Sequence, residues 1–217
     1  MKILMVAFDI EYPGTEGVAS HVEGVVNAFN DLGHEVTLLV KRGKDQERKE
    51  LKNNGKLRIR RFYFPPGKWK YPLYLQYCKT HITMYIVKYG IDVVYERSRM
   101  FGNYSMLWAK LFGKKRILEM NEPIIGLPVV LGTMKDYSRR YKTMVRWHKF
   151  FANLANIVTI THPIMGEGIQ PEKLVSITYG VNPSLFNPSI SGESYKKALK
   201  LTPGKTVLYA GSFRKWH

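Results

Sequence analysis

Short apolar runs rich in β-branched residues recur along this chain, and they constrain its fold more than any other feature. Most of them lack the alternation of polar and apolar residues that marks a strand with one solvent-facing side. A strand that is apolar throughout is buried on both faces, as in a parallel sheet covered by helices. The predicted strands are residues 3–8, 36–40, 57–62, 93–95, 116–120, 157–161 and 174–178.

Helical patterns fill the segments between these runs. The clearest is GVASHVEGVVNAFNDLGHE, residues 17–35, in which Gly33 is predicted to end the helix as a C-cap glycine. Its apolar stripe consists of Val18, His21, Val22, Val25, Val26, Phe29 and Leu32. Further helices are predicted over residues 74–89, 103–112 and 135–153, with shorter ones over 46–54 and 194–201. This alternation predicts an α/β fold with a doubly wound, mostly parallel, Rossmann-like sheet.

The last part of the sequence differs in composition from the rest. Residues 181–205 contain prolines, serines and short polar stretches, which is typical of a linker between domains. A new β-rich run begins at Thr206 and is broken at Gly211. We therefore expect a first domain over residues 1–180, a linker over 181–205, and the start of a second domain over 206–217.

Charge and cysteine content limit the class of protein. The formal net charge of +17 attracts nucleic acid, anionic lipid or phosphorylated substrates without distinguishing among them. The single cysteine, Cys78, excludes an internal disulfide and a cysteine-clustered metal site, and it is expected to be a buried packing residue. No apolar run suits a signal peptide or a membrane span. These features favour a cytoplasmic protein.

The loop after the first predicted strand is the first candidate binding segment, because ligands of open parallel sheets bind beyond the carboxyl ends of the strands. In DIEYPGTEGVASH, residues 9–21, Gly14 and Gly17 allow close backbone approach, and the helix start can hold a phosphate or diphosphate. A flexible loop is the alternative. The sequence lacks G-x-G-x-x-G here, and Lys41 and Arg42 stand where an NAD site needs an acid. An NAD-dependent oxidoreductase is therefore disfavoured.

Two further segments place polar side chains at the same edge of the sheet. Asn121 and Glu122 follow the strand in ILEMNEPI, and a solvated turn is the alternative for them. Glu96, Arg97, Ser98 and Arg99 are expected to follow the fourth strand, with ordinary surface charge as the alternative. His21 either points into the resulting cleft or packs on its helix stripe.

A fourth segment, EKLVSITYGVNPSLFNP at residues 172–188, completes a recognisable series with residues 9–36 and VLYAGSFRKWH at 207–217. Together they resemble the N-terminal half of family-four glycosyltransferases, which have two facing Rossmann-like domains in the GT-B architecture. Gly17, His21 and the Gly-His-Glu-Val at residues 33–36 match the family pattern. Glu16 departs from it, since the first of two paired glycines is expected there.

The rest of the pattern is kept in order along the chain. Tyr179-Gly180-Val181-Asn182 stands where the family has Asn-Gly-Val-Asp, and Phe-x-Pro follows at residues 186–188. Gly211-Ser212 replaces the family's Gly-Arg, and His217 falls where its phosphate-binding Lys is expected. Arg214 and Lys215 are nearby cations that can supply that charge.

The resemblance implies a retaining enzyme that moves a hexose-like unit from a nucleotide-diphosphate sugar to an acceptor hydroxyl. It implies no metal and no cofactor, with the nucleotide sugar as a substrate, and places the acidic catalytic pair in a second domain. This half would form the acceptor side and be nearly inactive alone. The substrate-binding residues implied are Gly14, Gly17, His21, Arg97, Asn121, Glu122, Tyr179, Gly180, Arg214 and Lys215.

Two stretches interleave cations with aromatic residues, at residues 56–74 and 137–154. The second, if helical, suits an anionic lipid surface. Both surfaces would bring the enzyme to lipid-linked or otherwise anionic acceptors at the cytosolic membrane face. An amphipathic helix with its aromatic side in the core is the alternative. A non-catalytic basic protein that binds nucleic acid or membrane is the second hypothesis for function. Only net charge supports nucleic acid, since no recognition motif is present.

Overall fold

The computed structural model describes residues 1–14, 16–43, 55–64, 70–99, 102–121, 123, 138–178, 180–181, 183, 186–202, 204, 206–207 and 209. The chain divides into two compact units, Met1–Ile177 and Thr178–His217. The candidate site lies in the first unit. In the second unit, the one described helix runs over Glu193–Ala198, close to the predicted range of 194–201.

The first unit is built on a seven-stranded sheet in which every pairing between neighbouring strands is parallel. The strands are β1 (Lys2–Tyr12), β2 (Glu35–Arg42), β3 (Leu57–Phe62), β4 (Val93–Arg97), β5 (Lys115–Met120), β6 (Ile157–Ile160) and β7 (Leu174–Ser176). Their order across the sheet is β3-β2-β1-β4-β5-β6-β7. All seven predicted strands and the Rossmann-like fold class are confirmed.

The helices agree with the predictions except in one region. They are α1 (Gly17–Asp31), α2 (Lys70–Tyr77), α3 (Thr83–Tyr89), α4 (Tyr104–Leu111), α5 (Arg139–Leu154) and α6 (Glu193–Ala198). The single helix predicted over 74–89 starts earlier, and a π-helical segment, Cys78–Ile82, separates α2 from α3. The short helix predicted over 46–54 lies outside the described residues.

The end of α1 shows both a correct and an incorrect prediction. Gly33 has φ of +82°, its N–H donates to the carbonyl of Asn30, and the N–H of His34 donates to that of Phe29. These bonds form a Schellman motif, so Gly33 ends the helix as predicted. Leu32 was placed on the apolar stripe, but it is 71% exposed because it follows the last helical turn.

The core lies in two apolar clusters on opposite faces of the sheet, since alternate β1 residues belong to each. Leu4, Val6 and Phe8 pack with α2, α4, α5 and the π-helical segment, where Cys78 is fully buried as predicted. Burial raises the pKa of the Cys78 thiol. Ile3, Met5 and Ala7 pack against α1 on the other face. No described helix is long and apolar enough to cross a membrane.

A register shift in β1 lies beside the candidate site. Ala7 pairs with Val40 and Glu11 with Lys41, so residues 8–10 are extra residues on the β1 side of the ladder. Irregularities of this kind bend a strand and redirect its side chains. Asp9 lies in this irregular segment, close to the carboxyl end of the neighbouring strand β4.

Candidate active site

Glu119, near the carboxyl end of β5, is the centre of a polar cluster on the α1 side of the sheet. Its carboxylate accepts hydrogen bonds from His21 Nε2 at 2.5 Å and from the Tyr95 hydroxyl at 2.5 Å. The side-chain amide of Asn121 donates to the same carboxylate. The cluster therefore joins α1, β4, β5 and the residue that follows β5.

Glu119 is 5% exposed, and this burial alone would raise its pKa. The hydrogen bonds from His21, Tyr95 and Asn121 outweigh burial and hold the pKa of the carboxyl below its usual range. An ionised carboxylate only accepts hydrogen bonds, so His21 Nε2 must carry a proton. The cluster is a buried anion that fixes the ring of a partly exposed histidine.

His21 therefore does not simply pack on the α1 stripe. Its side chain is 31% exposed and reaches from the first turns of α1 to a residue 98 positions away in the sequence. The structure thus brings together two of the predicted site residues, His21 and Asn121, through a carboxylate that bonds to both.

Arg97 lies on β4, two residues beyond Tyr95 of this cluster. Its Nη1 donates to Oδ2 of Asp9 at 3.0 Å, and its side chain is only 7% exposed. Within the described part of the chain, Arg97 Nε and Asp9 Oδ1 are buried without a hydrogen-bond partner. The pair lies between β1 and β4, at the point where the strand order reverses in an open α/β sheet.

The segment around Arg97 differs from the prediction. Glu96 and Arg97 were expected to follow the fourth strand, but they are its last two residues. Surface charge is also wrong for Glu96, Arg97 and Arg99, which are 0%, 6% and 8% exposed. Arg97 is paired with Asp9 of β1, and Glu96 and Arg99 contact residues of the helices on the other face of the sheet.

Glu96 points to the face opposite Glu119 and is held by neutral donors. The hydroxyls of Tyr74 and Ser105 donate to its two oxygens, and the Asn103 amide N–H donates at 3.1 Å. Burial raises the pKa of Glu96 to about 8, although Ser105, Arg99 and Asn103 oppose the shift. This network connects α2, β4 and α4 inside the core.

Arg99 packs beside the Glu96 network. Its guanidinium lies 4.2 Å from the centroid of the Tyr74 ring, in cation–π geometry. A Cβ at Gly102 would stand 2.1 Å from Arg99 Cγ, so a glycine is needed there for the arginine to fit. Arg99 is therefore built into the fold and does not line an open surface.

The two predicted glycines of the first loop have different surroundings. A Cβ at Gly14 would lie 2.5 Å from the Glu11 carbonyl oxygen, so close backbone packing explains this glycine. A Cβ at Gly17, the first residue of α1, would meet nothing within 4 Å. Glu16 is the N-cap residue, but its side chain does not cap the helix. The space above Gly17 is open at the positive end of the helix dipole.

Several predicted site residues cannot be placed in this arrangement. Glu122, Tyr179, Arg214 and Lys215 lie outside the described residues, and Gly180 belongs to the second unit. Among the residues that the structure describes, no group of three His, Cys, Asp or Glu side chains is arranged to hold a metal ion.

Sequence reasoning missed Glu119, Tyr95 and Asp9, which position the predicted residues. One signal was available: Glu119 stands inside a run predicted to be buried on both faces, and a buried acid needs partners. The partners themselves were not predictable, because they come from segments far away in the chain.

Comparison with models of protein families identifies the family of this chain. The model for Glycosyltransferase Family 4 matches residues 15–185, which include α1, β4, β5 and the Glu119 cluster. The chain belongs to this family. No curated protein sequence matches it significantly.

Solved glycosyltransferase structures share the fold of this family-4 chain. Sucrose-phosphate synthase from Thermosynechococcus elongatus superposes with a TM-score of 0.70 at 15% identity, covering 93% of this chain and 53% of that one. Anabaena HepE, solved with UDP-glucose, superposes with a TM-score of 0.57 at 14% identity, and the match covers 92% of this chain and 50% of HepE. MurG from Acinetobacter baumannii superposes with a TM-score of 0.53 at 14% identity, and the match covers 86% of this chain and 47% of MurG.

These comparisons confirm the GT-B type of Rossmann-like domain. The chain spans about half the length of each of these three proteins. The fold is therefore that of one half of a GT-B glycosyltransferase.

Proposed function

We propose that this chain is the acceptor-side half of a retaining glycosyltransferase that uses a nucleotide-diphosphate sugar and needs no metal or cofactor. The enzyme transfers a hexose-like unit to a hydroxyl of a glycan or a lipid-linked acceptor in the cytoplasm. The observation that carries the proposal is the Glu119 cluster, which fixes His21 and Asn121 at the carboxyl edge of the sheet. The UDP-glucose complex of Anabaena HepE supports the choice of donor class.

The start of α1 is the proposed contact for the donor diphosphate. Backbone N–H groups and the helix dipole favour an anion there, and the absence of a side chain at Gly17 lets it approach closely. Stabilising charge on the departing diphosphate is the main electrostatic task of such an enzyme. Glu16 opposes an anion at this place. Arg214 and Lys215 stay predicted contacts of the donor phosphates.

Asn121 and the Asp9–Arg97 pair are the proposed acceptor side. Arg97 is nearly enclosed, so it acts mainly by holding Asp9 and supplying positive charge. Glu119 acts through the residues it binds and is a positioning residue. Glu122, Tyr179 and Gly180 stay predicted substrate-binding residues.

Titration of a panel of nucleoside diphosphates and their sugars, by calorimetry and thermal shift, tests the donor class. The panel is measured against this chain and against a version extended through a complete second domain. We expect tight binding of one nucleotide by the extended protein and weak binding by this chain. Failure of both proteins to bind any member of the panel would overturn the proposal.

A glycine pair on α1 tests the diphosphate contact separately. We expect Gly17→Ala to weaken nucleotide binding in the extended protein by about tenfold, because a methyl group enters the space assigned to the anion. Gly24→Ala is the matched control, since its Cβ also meets nothing within 4 Å but lies inside the helix. Equal affinity of the two variants would remove Gly17 from the binding site.

A further inference from the structure

The outward side of α5 carries cations and aromatic rings together. Met144, His148, Phe151 and Ala152 are the buried residues of this helix. Five exposed residues form what we call the basic aromatic face: Arg139, Lys142, Arg146, Trp147 and Phe150. At 100° per residue they lie within an arc of about 140°, so they share one side of the helix.

The two exposed rings of this face are supported from below. Trp147 and Phe150 are 47% and 50% exposed. The Trp147 ring stacks on that of Phe151 with centroids 5.5 Å apart, and Phe151 meets the Tyr104 ring at 4.9 Å. Phe150 contacts both Trp147 and Phe151. The rings are thus held in place by the core, so little side-chain freedom remains to be lost on contact.

The charges of the basic aromatic face do not stabilise α5 itself. α5 contains no Asp or Glu, and its first turn holds arginine where an acid would suit the dipole. Helix stability therefore does not explain the placement of Arg139. The face carries only positive charges, together with aromatic rings held in place by the core. Such a surface fits a partner that offers anionic groups above an apolar layer.

We propose that the basic aromatic face docks the protein on a bilayer that contains anionic lipid. Trp147 and Phe150 enter the interfacial layer, which aromatic rings prefer. Arg139, Lys142 and Arg146 contact lipid phosphates, and the 16-residue helix lies along the surface for about 24 Å. This goes beyond glycosyl transfer and does not depend on it, so nucleotide-binding results leave it unaffected.

Flotation of the 217-residue chain with lipid vesicles tests the proposal. One set of vesicles contains phosphatidylcholine alone, and the other contains phosphatidylcholine mixed with phosphatidylglycerol. We expect binding to the anionic vesicles at low salt and its loss at high salt, because exposed charges are screened. Equal binding to both sets of vesicles would overturn the proposal.

Substitutions separate the face from the overall charge of the chain. Replacing Arg139, Lys142 and Arg146 by Gln should weaken binding roughly hundredfold, at about fivefold per cation. The matched control replaces three exposed lysines of the other helical segments by Gln: Lys79, Lys88 and Lys110. An equal loss in the control would show that net charge alone binds the vesicles, and would overturn the assignment to α5.

The aromatic part has its own control. Trp147→Ser with Phe150→Ser should weaken binding at least tenfold, whereas Val87→Ser with Leu111→Ser should leave it unchanged. Val87 and Leu111 are 70% and 65% exposed on α3 and α4, so both pairs remove exposed apolar side chains. Far-ultraviolet circular dichroism and thermal unfolding check that all variants fold.

Brominated lipids give a second, independent readout. They should quench a fluorescence component that disappears in Trp147→Phe, because this ring enters the lipid. If brominated vesicles leave the Trp147 fluorescence unchanged while a single-stranded oligonucleotide quenches it, the basic aromatic face is a nucleic-acid site and the proposal is wrong.

Discussion

Glu96 and Glu119 are two buried glutamates on neighbouring strands, and they differ in almost everything else. Glu96 faces the side of α2 and α4, where two hydroxyls and one backbone N–H surround it. Glu119 faces α1, where His21, Tyr95 and Asn121 surround it. The pKa of Glu96 is raised to about 8 by burial, whereas hydrogen bonds lower that of Glu119.

The difference shows how partners decide the role of a buried carboxyl. Burial inside a closed core keeps Glu96 protonated near neutral pH, although its hydrogen-bond donors oppose this shift of the pKa, and a protonated carboxyl suits a group that connects helices. The donors around Glu119 stabilise an anion, and one of them, His21, is partly exposed. We therefore interpret Glu96 as a structural connection and Glu119 as part of the working site.

Glu96→Ala should have the largest effect on stability. It leaves the hydroxyls of Tyr74 and Ser105 and the Asn103 N–H buried without an acceptor, so we expect a loss of at least about 3 kcal/mol in the free energy of unfolding. Denaturant unfolding followed by circular dichroism measures it. Glu96→Gln is the control, since it keeps the size and one acceptor and should cost less than half as much.

The pH dependence of stability should also follow Glu96. Its folded-state pKa of about 8 is above the ordinary 4.5, so the folded chain holds a proton that the unfolded chain releases. This stabilisation is complete below pH 4.5 and is lost as the pH rises through 8. Between pH 6.5 and 8 we expect the free energy of unfolding to fall by roughly 1–2 kcal/mol.

Other groups contribute outside that window. Burial, with a smaller effect of Lys149, lowers the pKa of His148 to about 4 from 6.5, so its stabilisation is present above pH 6.5 and lost below it. The Glu119 contribution is lost only below its ordinary pKa of 4.5. Denaturant titrations at several pH values check the slope, and the same slope in Glu96→Gln would show that another group causes it.

Glu119→Gln should change stability least and function most. The amide keeps the size and one acceptor oxygen, so we expect a cost of about 1 kcal/mol in unfolding. Loss of the anion releases His21 and Asn121, and nucleotide-sugar binding or transfer by the extended protein should fall about tenfold. Tyr95→Phe removes one donor to Glu119 without touching His21 and should reduce transfer less. If both variants transfer sugar at the original rate, Glu119 is only structural, like Glu96.

The fold was largely predictable from local patterns. Most strands are short apolar runs, with the arginine-rich β3 as an exception, and the Schellman glycine at Gly33 ends α1 where the pattern does. The π-helical segment over Cys78–Ile82 was not predicted, because it follows the same apolar spacing as an α-helix for most of its length. Leu32 was wrongly assigned to the apolar stripe, because residue spacing alone does not show which turn of the helix is the last to pack against the sheet.

The site was predictable only in part. Asn121 directly follows β5, and His21 lies near the start of α1, so their general location follows from topology. Their common partner does not, since Glu119 and His21 are 98 positions apart and Arg97 and Asp9 are 88 apart. Such contacts depend on the register of neighbouring strands, which no local pattern specifies.

The position of β1 in the sheet has a consequence for how the chain is made. β1 pairs with β2 on one side and with β4 on the other, where Ile3 meets Val93. At translation rates of about 5–20 residues per second, β4 emerges roughly 5–20 s after β1. During that interval the apolar strand β1, which will lie in the interior of the sheet, has one open edge. Chaperone binding to nascent chains should therefore be strongest before β4 leaves the ribosome.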